Sequence, residues 1–276
     1  MLAYLFPGQG SQVRGMGNNL FDIFKDYTAQ ANDILGYSIQ SLCLHDADQQ
    51  LHFTQYTQPA IYVVNALTYL KNKQDVNEKP DYVAGHSLGE YNALFAAGVF
   101  DFATGLKLVK KRGELMSQAE GGGMAAILGL NREALHQLLQ QHALSSVHIA
   151  NDNSPSQLVI SGMQDNIKQA QAIFAKIPSA TFIPLKVSGA FHSPYMSHAQ
   201  SEFEIFLRNF HFDIPSIPVI ANVNALPYHP RVIKQNLIDQ ITGPVEWVNT
   251  IQYLKSKKVL QFKEIGVGTV LTRLMG

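Results

Sequence analysis

"DYVAGHSLGEYNAL", Asp81 to Leu94, is the stretch whose reading decides the fold. A short apolar run ends in Gly85-His86-Ser87-Leu88-Gly89. Apolar residues then return at helical intervals, at Leu88, Tyr91, Leu94 and Phe95. This is the pattern of a buried strand that turns at once into a helix, with Ser87 at the junction. G-x-S-x-G in that context is a tight turn that pushes a serine hydroxyl into a cleft, as in hydrolase-like α/β folds. The helix behind Ser87 also offers free backbone N–H groups and the positive end of its dipole.

Working outward, the chain opens with an apolar run from Leu2 to Phe6 that enters the glycine-rich "PGQGSQ". A strand running into a loop is expected there. Helical spacing follows from Leu20 to Leu35, and "QPAIYVVNALTYL" places Pro59 near a helix start. The texture changes at "EGGGMAAILGL", where Gly121, Gly122 and Gly123 read as a hinge. Strands are expected at 124–130, 147–150, 157–161 and 181–187, with helices at 132–142 and 165–177. The order β-α-β-β-α-β reads as a ferredoxin-like unit. We therefore expect a hydrolase-like α/β domain with a parallel sheet, formed by residues 1–123 and 188–276. A small ferredoxin-like domain, 124–187, is inserted into it, and a ligand cleft lies between the two.

The composition sets outer limits. The chain has 276 residues, 46% hydrophobic and 15% charged, with Lys+Arg and Asp+Glu balanced at 21 each. That balance points away from nucleic acid or an anionic membrane as partner. A single cysteine, Cys43, rules out an internal disulfide and fits a reducing, cytoplasmic setting. Cys43 is expected to fill core. No secretory signal or membrane span is expected. Neither a metal-binding HExxH nor a phosphate-binding GxxxxGK[ST] is present, so metal and nucleotide chemistry find no motif.

A serine needs a base to act as a nucleophile. Of ten histidines, His192 is the best placed, in "VSGAFHSPYM" just past an apolar strand and before Pro194. His86, inside the elbow, is expected to pack. Arg112 is the second anomaly. It shares one helical face with Gly105, Leu108 and Leu115, while Lys107, Lys110, Lys111 and Glu114 point elsewhere. An arginine on an apolar stripe must find an anion, either a buried Asp or Glu or a substrate carboxylate. Gln9, between Gly8 and Gly10, could join its N–H to that of Leu88 in an oxyanion hole.

Together these pieces resemble the malonyl-CoA:acyl-carrier-protein transacylases, and most of all the discrete acyltransferases that serve polyketide synthases in trans. The matching residues are "FPGQGSQ" (6–12), "TQPA" (57–60), "GHSLGEYNAL" (85–94), "KRGELM" (111–116), "NDNSPSQLVISG" (151–162), "GAFHS" (189–193), "GPVEW" (243–247) and "EIGVGTVLTRL" (264–274). The resemblance implies Ser87 as nucleophile, His192 as base, and Gln9 and Leu88 as main-chain oxyanion donors. It further implies Arg112 as the group that binds the malonyl carboxylate, and Gln240 as the main-chain carbonyl that orients His192. Gln58 and Asn153 match positions lining the family's cleft. Phe191 stands where relatives that accept methylmalonyl tend to have serine. Implied too are malonyl-CoA as substrate, an acyl carrier protein as partner, no resident cofactor or metal, and a monomer. The chain departs from the family at Gly266-Val267-Gly268, where Gly-Pro-Gly is usual, and it stops at Gly276, where relatives often continue. Two other readings remain. An acyl hydrolase of the same fold would keep Ser87 and His192 and use water, but has little use for Arg112. A catalytically idle docking subunit has no use for any of the three.

Overall fold

In the computed structural model, residues 1–275 are described, apart from Asn77. Eight strands form two sheets among them. They are β1 (Leu2–Phe6), β2 (Tyr82–Gly85), β3 (Gly122–Leu128), β4 (His148–Ser154), β5 (Gln157–Met163), β6 (Thr181–Leu185), β7 (Val219–Ile220) and β8 (Gln261–Glu264).

The first sheet has the order β7-β2-β1-β8, and its pairs are all parallel. β1 lies at its centre and is buried on both faces, which is why it is a continuous apolar run. Leu2, Tyr4 and Phe6 enter the larger core with Val64, Tyr91 and Leu94. Ala3 and Leu5 face the opposite layer with Trp247, Ile251 and Leu254. The alternation is the period of two that a strand imposes.

The second sheet has the order β4-β5-β3-β6, antiparallel throughout. Helices Arg132–Gln141 and Gln164–Phe174 cover it with their own core of Leu135, Leu139, Ile167, Phe174 and neighbours. This is the ferredoxin-like arrangement expected from the β-α-β-β-α-β order. The second sheet is tied to the larger domain where Asn151 of β4 bridges Val245, a residue outside both sheets, in parallel. Arg132 adds an ion pair across to Glu246 (2.6 Å) and another within the second-sheet unit to Asp152 (3.3 Å).

Some local expectations need correction. The Leu20–Leu35 helix is two helices, Leu20–Ile23 and Lys25–Leu35, broken where Phe24 leaves helical geometry (φ −111°, ψ 55°). Gly122 and Gly123 belong to β3, so only Gly121 (φ +70°) resembles a hinge. β4 runs past Ala150 to Ser154, because Asn151, Asp152 and Ser154 pair with β5, and Val245 adds a bridge at Asn151 on the other side. No described helix is long and apolar enough to cross a membrane.

Candidate active site

Ser87 sits between β2 and the helix Gly89–Ala96 with φ +49°, a left-handed backbone that a non-glycine residue adopts at a cost. The flanking glycines explain how the turn is made. A Cβ on Gly85 would lie 2.0 Å from the Gly89 carbonyl, and one on Gly89 would lie 2.0 Å from the Phe6 carbonyl oxygen. Strand, elbow and β1 approach too closely for any side chain. Asn222, just beyond β7, secures the turn. Its Oδ1 accepts from the Ser87 N–H (2.7 Å) and its Nδ2 donates to the Gly85 carbonyl (2.7 Å).

His192 lies 105 residues away in sequence and 2.7 Å away in space, with Nε2 against Ser87 Oγ. Its Nδ1 faces two main-chain carbonyls, Gln240 at 2.8 Å and Gly243 at 3.1 Å. Carbonyl oxygens only accept, so Nδ1 carries the proton and Nε2 is left with its lone pair toward Ser87. Burial, helped by the Arg112 charge, pushes the imidazole down to about 3. The ring is therefore neutral at physiological pH, the form a general base needs.

Arg112 is 1% exposed, on the helix Phe102–Ser117. Its Nη1 donates to Gln58 Oε1 (2.7 Å), and its Nη2 donates to Gln240 Oε1 (3.0 Å) and Ser87 Oγ (3.2 Å). Its Nε–H has no partner among the described residues. No described Asp or Glu lies within ion-pair distance of it. The protein thus holds a buried guanidinium by neutral oxygens alone.

The remaining predicted residues line the same cleft of ≈ 330 Å³: Gln9, Gln58, Asn153 and Phe191, with Met116 and Val187. Gln9 Nε2 is tied to Thr54 Oγ1 (3.2 Å). The main-chain N–H groups of Gln9 and Leu88 donate to no described protein acceptor. Asn153 Oδ1 meets His86 Nε2 at 2.8 Å, and the His86 ring packs edge-on against Trp247. Leu88 and Gln240 are fully buried, and neither side chain lines the cleft. A wider groove of ≈ 940 Å³ touches His192 from the side of Arg132 and Pro194, but Ser87 and Arg112 do not line it.

The chain matches the acyl transferase domain over residues 3–271. It belongs to that family. The polyketide biosynthesis malonyl CoA-acyl carrier protein transacylase BaeC of Bacillus velezensis is 58% identical over all of this chain and 96% of its own length. The crystal structure of malonyl CoA-acyl carrier protein transacylase from Burkholderia pseudomallei superposes with a TM-score of 0.96 at 51% identity, covering 99% of this chain and 96% of that one. A malonyl-transacylase solved in complex with a type II polyketide synthase acyl-carrier protein has a TM-score of 0.92 at 35% identity, covering 99% of this chain and 91% of that one.

This acyl transferase also brings together residues that the sequence does not single out. Glu90, Asn222 and Tyr228 form a buried polar cluster behind the elbow. Glu90 accepts from the Asn222 N–H (2.9 Å), the Tyr228 hydroxyl (2.8 Å) and Gln240 Nε2. Burial raises its carboxyl to about 7, against the pull of those donors and of Arg112. No sequence pattern singles the cluster out: Glu90 stands in a first helical turn, where an acid is ordinary, and Asn222 follows a strand of only two residues.

Proposed function

We propose that this protein moves a malonyl group from malonyl-CoA, through an ester on Ser87, to the phosphopantetheine thiol of an acyl carrier protein. The observation that carries this is the 2.7 Å Ser87–His192 contact beside a buried arginine with no protein carboxylate. In the first half-reaction Ser87 Oγ gives its proton to His192 Nε2 and attacks the thioester carbon. The oxyanion takes the main-chain N–H groups of Gln9 and Leu88, where one such donor is typically worth ~3–4 kcal/mol. The C–S bond then breaks, and the departing sulfur takes the proton from His192. In the second half the carrier thiol gives its proton to His192, attacks the ester and releases Ser87 with its proton restored.

Arg112 has five N–H groups and three are taken. The longest of those contacts is to Ser87 Oγ, the atom that moves onto the substrate carbon. The Nε–H and one Nη1 proton are open to a substrate carboxylate before the attack, and the move of Oγ onto the substrate carbon loosens the third contact as well. That carboxylate also offsets one of the two main influences holding His192 down, although burial remains the larger. The base thus strengthens when a malonyl group is bound. Phe191 is the wall beside the malonyl carbon, and Gln58 and Asn153 shape the cleft. The chemistry requires no resident cofactor or metal. Every group named comes from one chain, so a monomer suffices. The division into 1–123 with 188–276 and an insertion at 124–187 belongs to this reading, supported by the separate core around the second sheet. A reducing cytoplasmic setting belongs to it too, supported by the single unpaired and buried Cys43.

Intact-protein mass spectrometry tests the proposal. Malonyl-CoA should add one malonyl group to the parent and none to Ser87→Ala. The adduct should persist in buffer and discharge on addition of holo carrier protein. Discharge at the same rate without carrier identifies an acyl hydrolase instead.

A further inference from the structure

Glu90 takes part in none of these steps, yet it is 1% exposed, stands in the first turn after the elbow and shares Gln240 with Arg112. Its Oε1 accepts from the Asn222 N–H and the Tyr228 hydroxyl, and its Oε2 accepts from Gln240 Nε2. The other proton on that amide nitrogen goes to the main-chain oxygen of Ser87 at 2.9 Å. Both amide protons of Gln240 are therefore spent, and its Oε1 is left facing Arg112 Nη2. The amide has one workable sense. Turned over, it would set N–H against the N–H of Arg112, and oxygen against both Glu90 and Ser87.

A carboxylate is the one group that accepts at both of its atoms. A glutamine at position 90 would bring a second NH₂ either against Gln240 or against the Asn222 N–H. The other buried acids close to the cleft, Asp152 and Glu246, are engaged by Arg132. Burial raises Glu90 to about 7, but three donors converge on its oxygens and favour the carboxylate, which acts on Arg112 through the Gln240 amide rather than by contact.

We propose that Glu90 is a positioning residue for substrate selection. Through Gln240 it fixes Arg112 and provides its counter-charge at one remove, so that the direct ion-pair partner of Arg112 is a substrate carboxylate. This rests on the reading of Arg112 as the carboxylate-holding group, and the experiment separates the two.

Self-acylation of the 276-residue protein is followed by intact mass in mixtures of malonyl- and acetyl-CoA, for the parent, Glu90→Gln, Arg112→Ala and the double exchange Glu90→Gln/Gln240→Glu. Glu90→Gln should lower the malonyl-to-acetyl ratio at least ~10-fold, the scale of one buried donor left facing another. The double exchange again sets a donor against an acceptor between positions 90 and 240, although it also replaces the donor to the Ser87 carbonyl with a carboxylate oxygen. It also brings the carboxylate into contact with Arg112. It should melt closer to the parent than Glu90→Gln does and still lose the ratio, because Arg112 is already paired. Equal falls in the malonyl and acetyl rates of Glu90→Gln would reduce Glu90 to a structural group and overturn the inference, as would a folded double variant with the parental ratio. If Arg112→Ala itself keeps the ratio, the reading of Arg112 is what fails. Collapse in Arg112→Ala with no change in Glu90→Gln removes only the role of Glu90.

Discussion

Arg112→Ala should erase most of the preference for malonyl over acetyl. In the parent, the guanidinium is buried and held by Gln58, Gln240 and Ser87, with no carboxylate partner. Malonyl supplies one and acetyl does not. Removing one member of a buried, hydrogen-bonded charge pair costs ~2–5 kcal/mol, about 30-fold to about 5,000-fold in rate. Two features place the expected value at the lower end. The vacated space joins the ≈ 330 Å³ cleft, so water can reach the orphaned carboxylate. The truncation also strips a donor from Ser87 Oγ, so acetyl transfer falls as well. We expect the kcat/KM ratio of malonyl to acetyl to drop by about 10²-fold, from roughly 3 kcal/mol. Arg112→Lys should fall between, because a single ammonium cannot reach three partners and a carboxylate together. The assay is self-acylation at several concentrations of each thioester. Malonyl and acetyl rates that fall by one common factor would show that Arg112 only braces Gln58 and Gln240, and the carboxylate reading would be wrong.

His192→Ala should slow acylation and carrier-dependent deacylation by at least ~10²-fold, the scale of a positioned base, and near-parental carrier loading would reassign that role. Because burial holds His192 far below its usual 6.5, the acid limb of kcat/KM should lie well under that value; a limb near 6.5 would mean that the ring is solvated. Phe191→Ser should mainly relax rejection of methylmalonyl, by ~1–3 kcal/mol, since a hydrophobic wall resists one methyl group only weakly; an unchanged malonyl-to-methylmalonyl ratio removes Phe191 from selection. Stability offers a further check. His192, with its folded value lowered, makes stability rise with pH between about 3 and 6.5, whereas Glu90, with its folded value raised, makes stability fall between 4.5 and about 7. The two oppose each other from 4.5 to 6.5, so His192→Gln should lose stability relative to the parent as pH rises through that window, by up to roughly 1.4 kcal/mol per unit. Urea midpoints for parent and variant that stay parallel across it would contradict the assignment.

What the sequence determined by itself was local. The double-sided burial of β1 shows as an unbroken apolar run, and the elbow shows as two glycines whose Cβ atoms would collide with neighbouring backbone. The β-α-β-β-α-β order of the second sheet follows from period and turn chemistry within about 65 residues. Arg112 stood out because a charge on an apolar helix stripe breaks the pattern, and His192 because it follows a strand end. Tertiary structure decided everything that depends on where a polar side chain points. Asn222 reaches the Ser87 N–H across 135 residues, and Arg112 reaches Gln240 across 128. Such pairs leave no periodic trace, because a hydrogen bond is set by direction and distance between two atoms, while periodicity records only which face of an element is apolar. For the same reason Glu90 reads as an ordinary acid in a first helical turn. Only the packed structure shows it buried, facing Tyr228 and Gln240, with its charge held one residue away from Arg112.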